Sequence, residues 1–306
     1  MTGLTSGPSP DLGPAIAKIA LGTVQFGLDY GIANRSGQVS PATAAAILDF
    51  AYENGIDMLD TAIAYGTSET VLGQSNAGRF KLVTKLPRMP SGIDVGKWVA
   101  DEIAAAMHRL QVDQLYGLLL HHPADLAGDQ GGPLFQALEM AKRVGCTEKI
   151  GISIYEPGTL DAFARFKFDL VQAPLNLFDQ RLVRSGWLAR LQEEGTEVHA
   201  RSAFLQGLLL LPAEQRPAAF DHWKDIWTAW DEWLRVNGLT PLQACLGFAL
   251  SVSGVSRVVV GVDGVNQLQE IVALATAKAE LPDLPQSLIA LPPQLISPAA
   301  WPNARP

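Results

Sequence analysis

Cysteine is scarce in this 306-residue sequence. Cys146 and Cys245 lie far apart and fit no metal-ligand spacing, so neither a disulfide framework nor a thiolate metal site is expected. Basic charge is in deficit. Lysine plus arginine number 23 against 31 aspartates plus glutamates, and the formal net charge of -8 disfavours a phosphate backbone, so nucleic acid is not an expected partner. No apolar run reaches the roughly 18 residues that span a bilayer. The opening "MTGLTSGPSPDLGPA" also lacks a basic stretch leading into an apolar core, so the expectation is a cytoplasmic protein with no membrane partner. No G-x-G-x-x-G follows the first apolar run, which argues against a doubly wound dinucleotide fold. No His-x-His pair or carboxylate cluster suggests a metal.

What the chain does contain is alternation. Short apolar runs trade places with longer amphipathic stretches from residue 18 to residue 279, as repeated βα units require. The runs "KIALGTV", "DMLDTA", "KLVTKL", "LYGLLLH", "KIGISIY", "DLVQAPL", "EVHARSA" and "RVVVGV" supply the eight strands of a closed (β/α)8 TIM barrel, an α/β fold. The expectation is a single domain over residues 1–306, monomeric by default, with residues 1–15 loose. Region 217–253 is too long for one helix and is interrupted by Gly238 and Pro241, so an extra helix should precede strand eight. Residues 280–306 hold too many prolines for a regular element and should form an extended tail.

In such a barrel the working groups stand at the carboxyl ends of the strands. Strand two ends in Asp60, with Tyr65 in the loop beyond; strand three ends in Lys85 and strand four in His121. Together these make a proton-handling cluster, because an ammonium near a phenol favours the phenolate. Each has a plainer role when taken alone. Asp60 suits a helix cap, Tyr65 a loop aromatic, and Lys85, like Lys81, a solvated strand end. His199, inside "EVHARSA", reads as a satisfied core histidine. Trp223, Trp227, Trp230 and Trp233, spaced by three and four residues, read as the packing face of one helix.

The succession "LDTAIAYGTSE", "TKL" and "LLLHHP", followed by "IGISIY", "VQAPLN", "SAFLQGLL" and "VVVGVDGVNQLQE", resembles the motif set of the aldo-keto reductase superfamily across nearly the whole chain. The resemblance implies hydride transfer between a nicotinamide cofactor and an aldehyde, ketone or sugar-like carbonyl. Tyr65 would be the general acid or base, Lys85 would depress its pKa, Asp60 would hold Lys85, and His121 would donate to the carbonyl oxygen. Gly22 and Thr23 would line the nicotinamide path, while Ser153 and Gln172 would bind the carboxamide. The backbone of Ser202, Phe204, Gln206, Gly207 and Leu208 would wrap the pyrophosphate, and Gly261, Asp263, Asn266 and Gln267 would meet the nucleotide after strand eight. Phe26, Asp29, Tyr30, His122 and Trp301 are candidates for the substrate wall.

Two departures from the family pattern matter. Ile154 stands where an asparagine is common, so a carboxamide contact is expected from elsewhere, with Asn176 as the candidate. The stretch "GVDGVNQLQEI" has no basic residue for a 2′-phosphate, and Asp263 would repel one. NADP(H) is therefore expected from the resemblance, while NAD(H) stays open. Two other functions compete: a cofactor-binding barrel with a regulatory role, and a Schiff-base aldolase using Lys85. The second would need a lysine of depressed pKa, which Asp60 would instead raise.

Overall fold

The computed structural model describes residues 15–277 and 281–301. All eight expected strands form: β1 (Ile19–Gly22), β2 (Met58–Asp60), β3 (Lys81–Leu86), β4 (Leu115–Leu120), β5 (Thr147–Ser153), β6 (Leu170–Pro174), β7 (Glu197–Arg201) and β8 (Arg257–Gly261). They pair in chain order and close into a barrel, with β1 joined in parallel to both β2 and β8. Buried on both faces, they read as apolar runs, which is why the sequence reveals them.

Alternation along each strand sorts the barrel interior into layers. The middle layer is an apolar plug built around Ala20, Met58, Val83, Leu119 and Leu170. Beneath it, His199 is fully buried and its Nε2 lies 2.8 Å from Glu197 Oε1, while its Nδ1 has no protein partner, so it is the core histidine expected but is satisfied at one nitrogen only. Tyr116 and Lys149 also donate to Glu197, and these bonds outweigh its burial and hold its carboxyl below the usual range. Above the plug, the top of each strand meets one open mouth.

Local chemistry accounts for the outer helices. Ser40 accepts from the Thr43 N–H ahead of helix Pro41–Glu53, and Asp94 accepts from the Lys97 N–H ahead of helix Val95–Leu110. Region 217–253 does split into helices Lys224–Asn237 and Pro241–Ser251, the latter opened by a Thr240–Gln243 capping box. Trp227, Trp230 and Trp233 are buried, with Phe178 against the first two and Trp230 stacked on Trp233 at 5.6 Å, so these three are packing, whereas Trp223 ends the preceding turn Ala218–Trp223, outside the helix, and is half-buried.

Residues 180–195 hold two helices, Arg181–Arg184 and Trp187–Glu193, because Gly186 takes a left-handed φ of 80° between them. After β5 the chain makes only the short helix Gly158–Ala162. One expectation needs correction. The tail is not extended: it makes short helical turns at Gln286–Leu288, Pro293–Ile296 and Pro298–Ala300, prolines being welcome in a helix's first turn. The N-terminal stretch expected to be loose lies, but for its last residue, outside the described residues.

Candidate active site

The mouth is centred on Asp60. Lys85 Nζ donates to Asp60 Oδ2 at 2.7 Å and to the Thr61 carbonyl at 2.8 Å, while Gln172 Nε2 donates to Asp60 Oδ1 at 2.6 Å. Ser153 Oγ extends the chain at 3.5 Å from Gln172 Oε1. Register explains the reach. Asp60 pairs with Val83, so Lys85 stands two residues further along the neighbouring strand on the same inward face. Burial pulls the Lys85 pKa down, and Asp60 opposes that pull without cancelling it. Here the expectation that Asp60 would leave the lysine raised is corrected.

Tyr65 is held by its loop rather than by a strand. Its N–H donates to the Ala62 carbonyl, its own carbonyl accepts from Ser68 N–H at 3.0 Å, and that carbonyl presses on Gly27. A Cβ on Gly27 would sit 1.8 Å from the Tyr65 oxygen, and a Cβ on Gly66, whose φ is +55°, would sit 2.4 Å from the Gly27 oxygen. Only bare backbone fits on either side of this contact. The adjacent Glu69 is structural: it accepts from Thr84 and Arg109 and ties helix Ser68–Gln74 to its neighbours.

The electrostatics revise one expectation. Lys85 Nζ lies 5.1 Å from the Tyr65 ring centroid but spends its bonds on Asp60 and Thr61. Burial, and then the Asp60 charge, push the Tyr65 phenol above its ordinary value, with Arg201 opposing. Tyr65 is therefore a protonated donor at neutral pH. His121 packs edge-on against it at 5.8 Å. Burial, followed by Lys85, His122 and Arg201, lowers the His121 pKa from 6.5 to about 3, so the imidazole is neutral, and its Nδ1 is buried without a protein partner.

A cavity of about 1130 Å³ opens over this cluster. Of the expected residues, Asp60, Tyr65, His121, Gly22, Thr23, Ser153 and Gln172 line it. So do Ser202, Phe204, Gln206, Gly207, Gly261, Asp263 and Gln267, together with Tyr30 and His122. Both histidines reach the cavity because β4 ends at Leu120, before alternation can turn one of them away. Lys85 lies beneath Asp60, only 1% exposed.

Other candidates fall outside the lining. Leu208 and Phe26 are fully buried in the core, drawn in by their apolar side chains. Trp301 is buried on Phe220 at 5.0 Å and donates its Nε1–H to the Leu295 carbonyl, so it closes the core beneath the tail. Asn176 is fully buried, donates to the Ser202 carbonyl and accepts from Phe178 and Asp179 N–H, so it cannot replace the missing carboxamide contact. Asp29 and Asn266 do not line the cavity.

The structure adds Gln25, Tyr155, Arg201 and Glu270 to the lining, none of them expected. Arg201 was readable in principle, since Glu197, His199 and Arg201 alternate down the inward face of β7. The loop after β1 also straps across to the loop after β7. Ile32 N–H donates to the Gln206 carbonyl, Gln206 Nε2 donates to Tyr30 Oη at 3.0 Å, and a Cβ on Gly207 would lie 2.5 Å from Ala33 Cβ. Ser202, Leu205 and Gln206 all hold positive φ, the kind of strain that functional loops store.

Gly22 and Gly261 face each other in register between β1 and β8, and the Gln25 amide occupies the space over Gly261, where a Cβ would sit 2.4 Å from its Nε2. Asp263 Oδ1 and Gln25 Oε1 are buried acceptors with no protein donor. Among the described residues no group of three or more His, Cys, Asp or Glu could hold a metal, and no helix is long and apolar enough to cross a membrane.

Residues 18–283 match the aldo/keto reductase family. The chain is 26% identical over 286 residues to an uncharacterised oxidoreductase of Bacillus subtilis, YqkF, covering 86% of this chain and 88% of the relative. It is 28% identical over 293 residues to D-threo-aldose 1-dehydrogenase of a Pseudomonas species, covering 80% and 88%. Among solved structures, the holo form of the aldo-keto reductase AKR11C1 from Bacillus halodurans superposes with a TM-score of 0.70 at 21% identity, covering 94% of this chain and 95% of that one.

Proposed function

This chain belongs to the aldo/keto reductase family, and on that premise we propose that it interconverts a sugar-like aldehyde or ketone and its alcohol, with Tyr65 as the general acid or base. The observation that carries the proposal is the convergence of Tyr65, His121 and the Asp60–Lys85 pair at one barrel mouth. The name of the similar D-threo-aldose 1-dehydrogenase supports the sugar-like substrate.

A reduced nicotinamide held in this cavity would supply the hydride for the new C–H bond at the carbonyl carbon. As the C=O electron pair moves onto oxygen, Tyr65 gives that oxygen its proton, and in oxidation the flow reverses. The neutral His121 can donate a hydrogen bond to the same oxygen. Lys85 stands close enough to stabilise the phenolate left behind, and Asp60 with Gln172 keeps the ammonium aimed there. Ser153 and Gln172 face the cavity and would hold the carboxamide.

The aldolase reading is disfavoured despite the lowered pKa of Lys85, because its Nζ is buried and bonded on the barrel side of Asp60, with no room for an approaching carbonyl. The regulatory reading gives the buried ion pair no task.

The lining favours NAD(H) over the NADP(H) that the resemblance suggested. Asp263, with its unpartnered oxygen, precedes helix Val265–Thr276 and Glu270 lies in its second turn, and ribose hydroxyls can donate to these carboxylates where a 2′-phosphate would be repelled. Fluorescence titration with NADH and NADPH, followed by a panel of aldoses and simple aldehydes, tests both parts. Tighter NADH binding with turnover is expected, and Asp263→Ser should narrow the gap between the nucleotides. Nucleotide binding without turnover of any member of the panel would favour the regulatory reading.

A further inference from the structure

The end of β4 delivers two histidines to the mouth, and the proposed chemistry uses only His121. His122 lines the cavity as well. Its backbone is fixed from both sides: Pro123 holds the residue before it extended, at φ −120° and ψ 91°, and the His122 carbonyl accepts from Asp125 N–H at 3.0 Å. Asp125 Oδ2 accepts in turn from Met89 N–H at 2.9 Å, which ties the loop after β4 to the loop after β3. The imidazole itself makes no bond to the turn Pro123–Leu126 that it opens, and among the described residues its ring meets no hydrogen-bonding partner.

The charge of this wall is as telling as its position. Burial, and then Arg88, lower the His122 pKa, with Asp125 opposing, so the ring is uncharged at neutral pH, as His121 is beside it. A neutral imidazole offers one N–H donor and one acceptor nitrogen. A hydroxyl, itself both donor and acceptor, answers either of them, whereas a carboxylate can use only the donor and an alkyl group would leave both unanswered.

Topology separates this wall from the dinucleotide. The residues that would hold the cofactor come from β1, β5, β6, β7 and β8 and their loops, while β4 stands across the closed barrel from β8. The rings of Tyr65, His121 and His122 follow one another along the wall, with centroids 5.8 Å and then 5.3 Å apart. Tyr65 and His121 share the carbonyl oxygen in the proposed reaction, so His122 stands one ring beyond it. A polar atom at that place belongs to a neighbouring carbon of the substrate.

We infer that His122 selects substrates bearing a hydroxyl on the carbon next to the reacting carbonyl, an α-hydroxy aldehyde or ketone. This rests on the hydride-transfer reading above and narrows it.

The test compares kcat/KM in the full-length protein, with the tighter-binding dinucleotide saturating, for aldehydes of equal chain length. Lactaldehyde carries the hydroxyl on the adjacent carbon, 3-hydroxypropanal carries it one carbon further, and propanal has none. The wild type should favour lactaldehyde over propanal by about three- to tenfold, the worth of one hydrogen bond between uncharged groups. His122→Phe should bring that ratio close to unity, and His122→Gln, which keeps a donor and an acceptor, should restore part of it. Dinucleotide dissociation constants, measured by fluorescence, should move far less than the ratio does. Turnover without preference would overturn the inference alone, and so would a preference for 3-hydroxypropanal over lactaldehyde. An equal loss with every aldehyde in His122→Phe, the ratio unchanged, would overturn it too, by making His122 a prop for His121. No turnover of any of these aldehydes by the wild type would remove the hydride-transfer reading first, and this inference with it.

Discussion

Lys85 and Asp60 form an ion pair at 2.7 Å with side-chain exposures of 1% and 7%, and it is braced from the opposite side by Gln172. A buried pair of this kind gains little net stability, because desolvation consumes most of the attraction, but removing one partner strands the other charge.

Lys85→Met should therefore destabilise the fold by about 3–5 kcal/mol, and adding Asp60→Asn should recover part of that loss. Urea unfolding of the two single variants and the double variant gives the answer. Strictly additive losses would mean the pair is not coupled.

Tyr65→Phe removes one oxygen at a position held by backbone contacts. Turnover should fall by about 10²–10⁴-fold while NADH affinity stays nearly unchanged. A variant that turns over at the parental rate would end the assignment of the acid.

Stability should depend on pH through His121. Its folded pKa, about 3, lies below the 6.5 of the free imidazole, so the unfolded chain takes up a proton that the folded chain refuses. The stabilising contribution is complete above pH 6.5 and is lost as pH falls toward 3, at up to about 1.4 kcal/mol per pH unit. Denaturant midpoints measured from pH 7 to pH 4 should fall less steeply in His121→Gln. Identical slopes would show that burial does not hold the ring neutral.

Gly27→Ala should act on catalysis from a distance. Its new methyl would collide with the Tyr65 carbonyl, displacing the loop that presents the phenol. A misplacement of about 1 Å costs up to about a hundredfold in rate, so kcat should drop well before NADH binding does. Unchanged kcat with an intact fold would mean that this contact does not position Tyr65.

Much of this was legible in the chain itself. Parallel strands buried on both faces announce themselves as apolar runs, and Asp60, Tyr65, Lys85 and His121 occupy strand ends or the loop just beyond, where a barrel places its chemistry. Phe26 and Trp301 were misplaced because a loop or tail residue carries no period to say whether it faces the core or the cavity. Asn176 failed for a related reason: its amide was already committed to backbone groups of its own turn and of the next strand's end.

The sequence by itself determined the strand count, the barrel and which polar side chains stand at its mouth, because these follow from local periodicity and from which residue ends each strand. Tertiary structure alone decided which charges find partners. Closing the sheet places Asp60 against both Lys85 and Gln172, sets Gly22 beside Gly261, and leaves Arg201 among neutral neighbours. Pairing across β1 to β8 depends on register and closure, and those are properties of the finished barrel rather than of any stretch of chain.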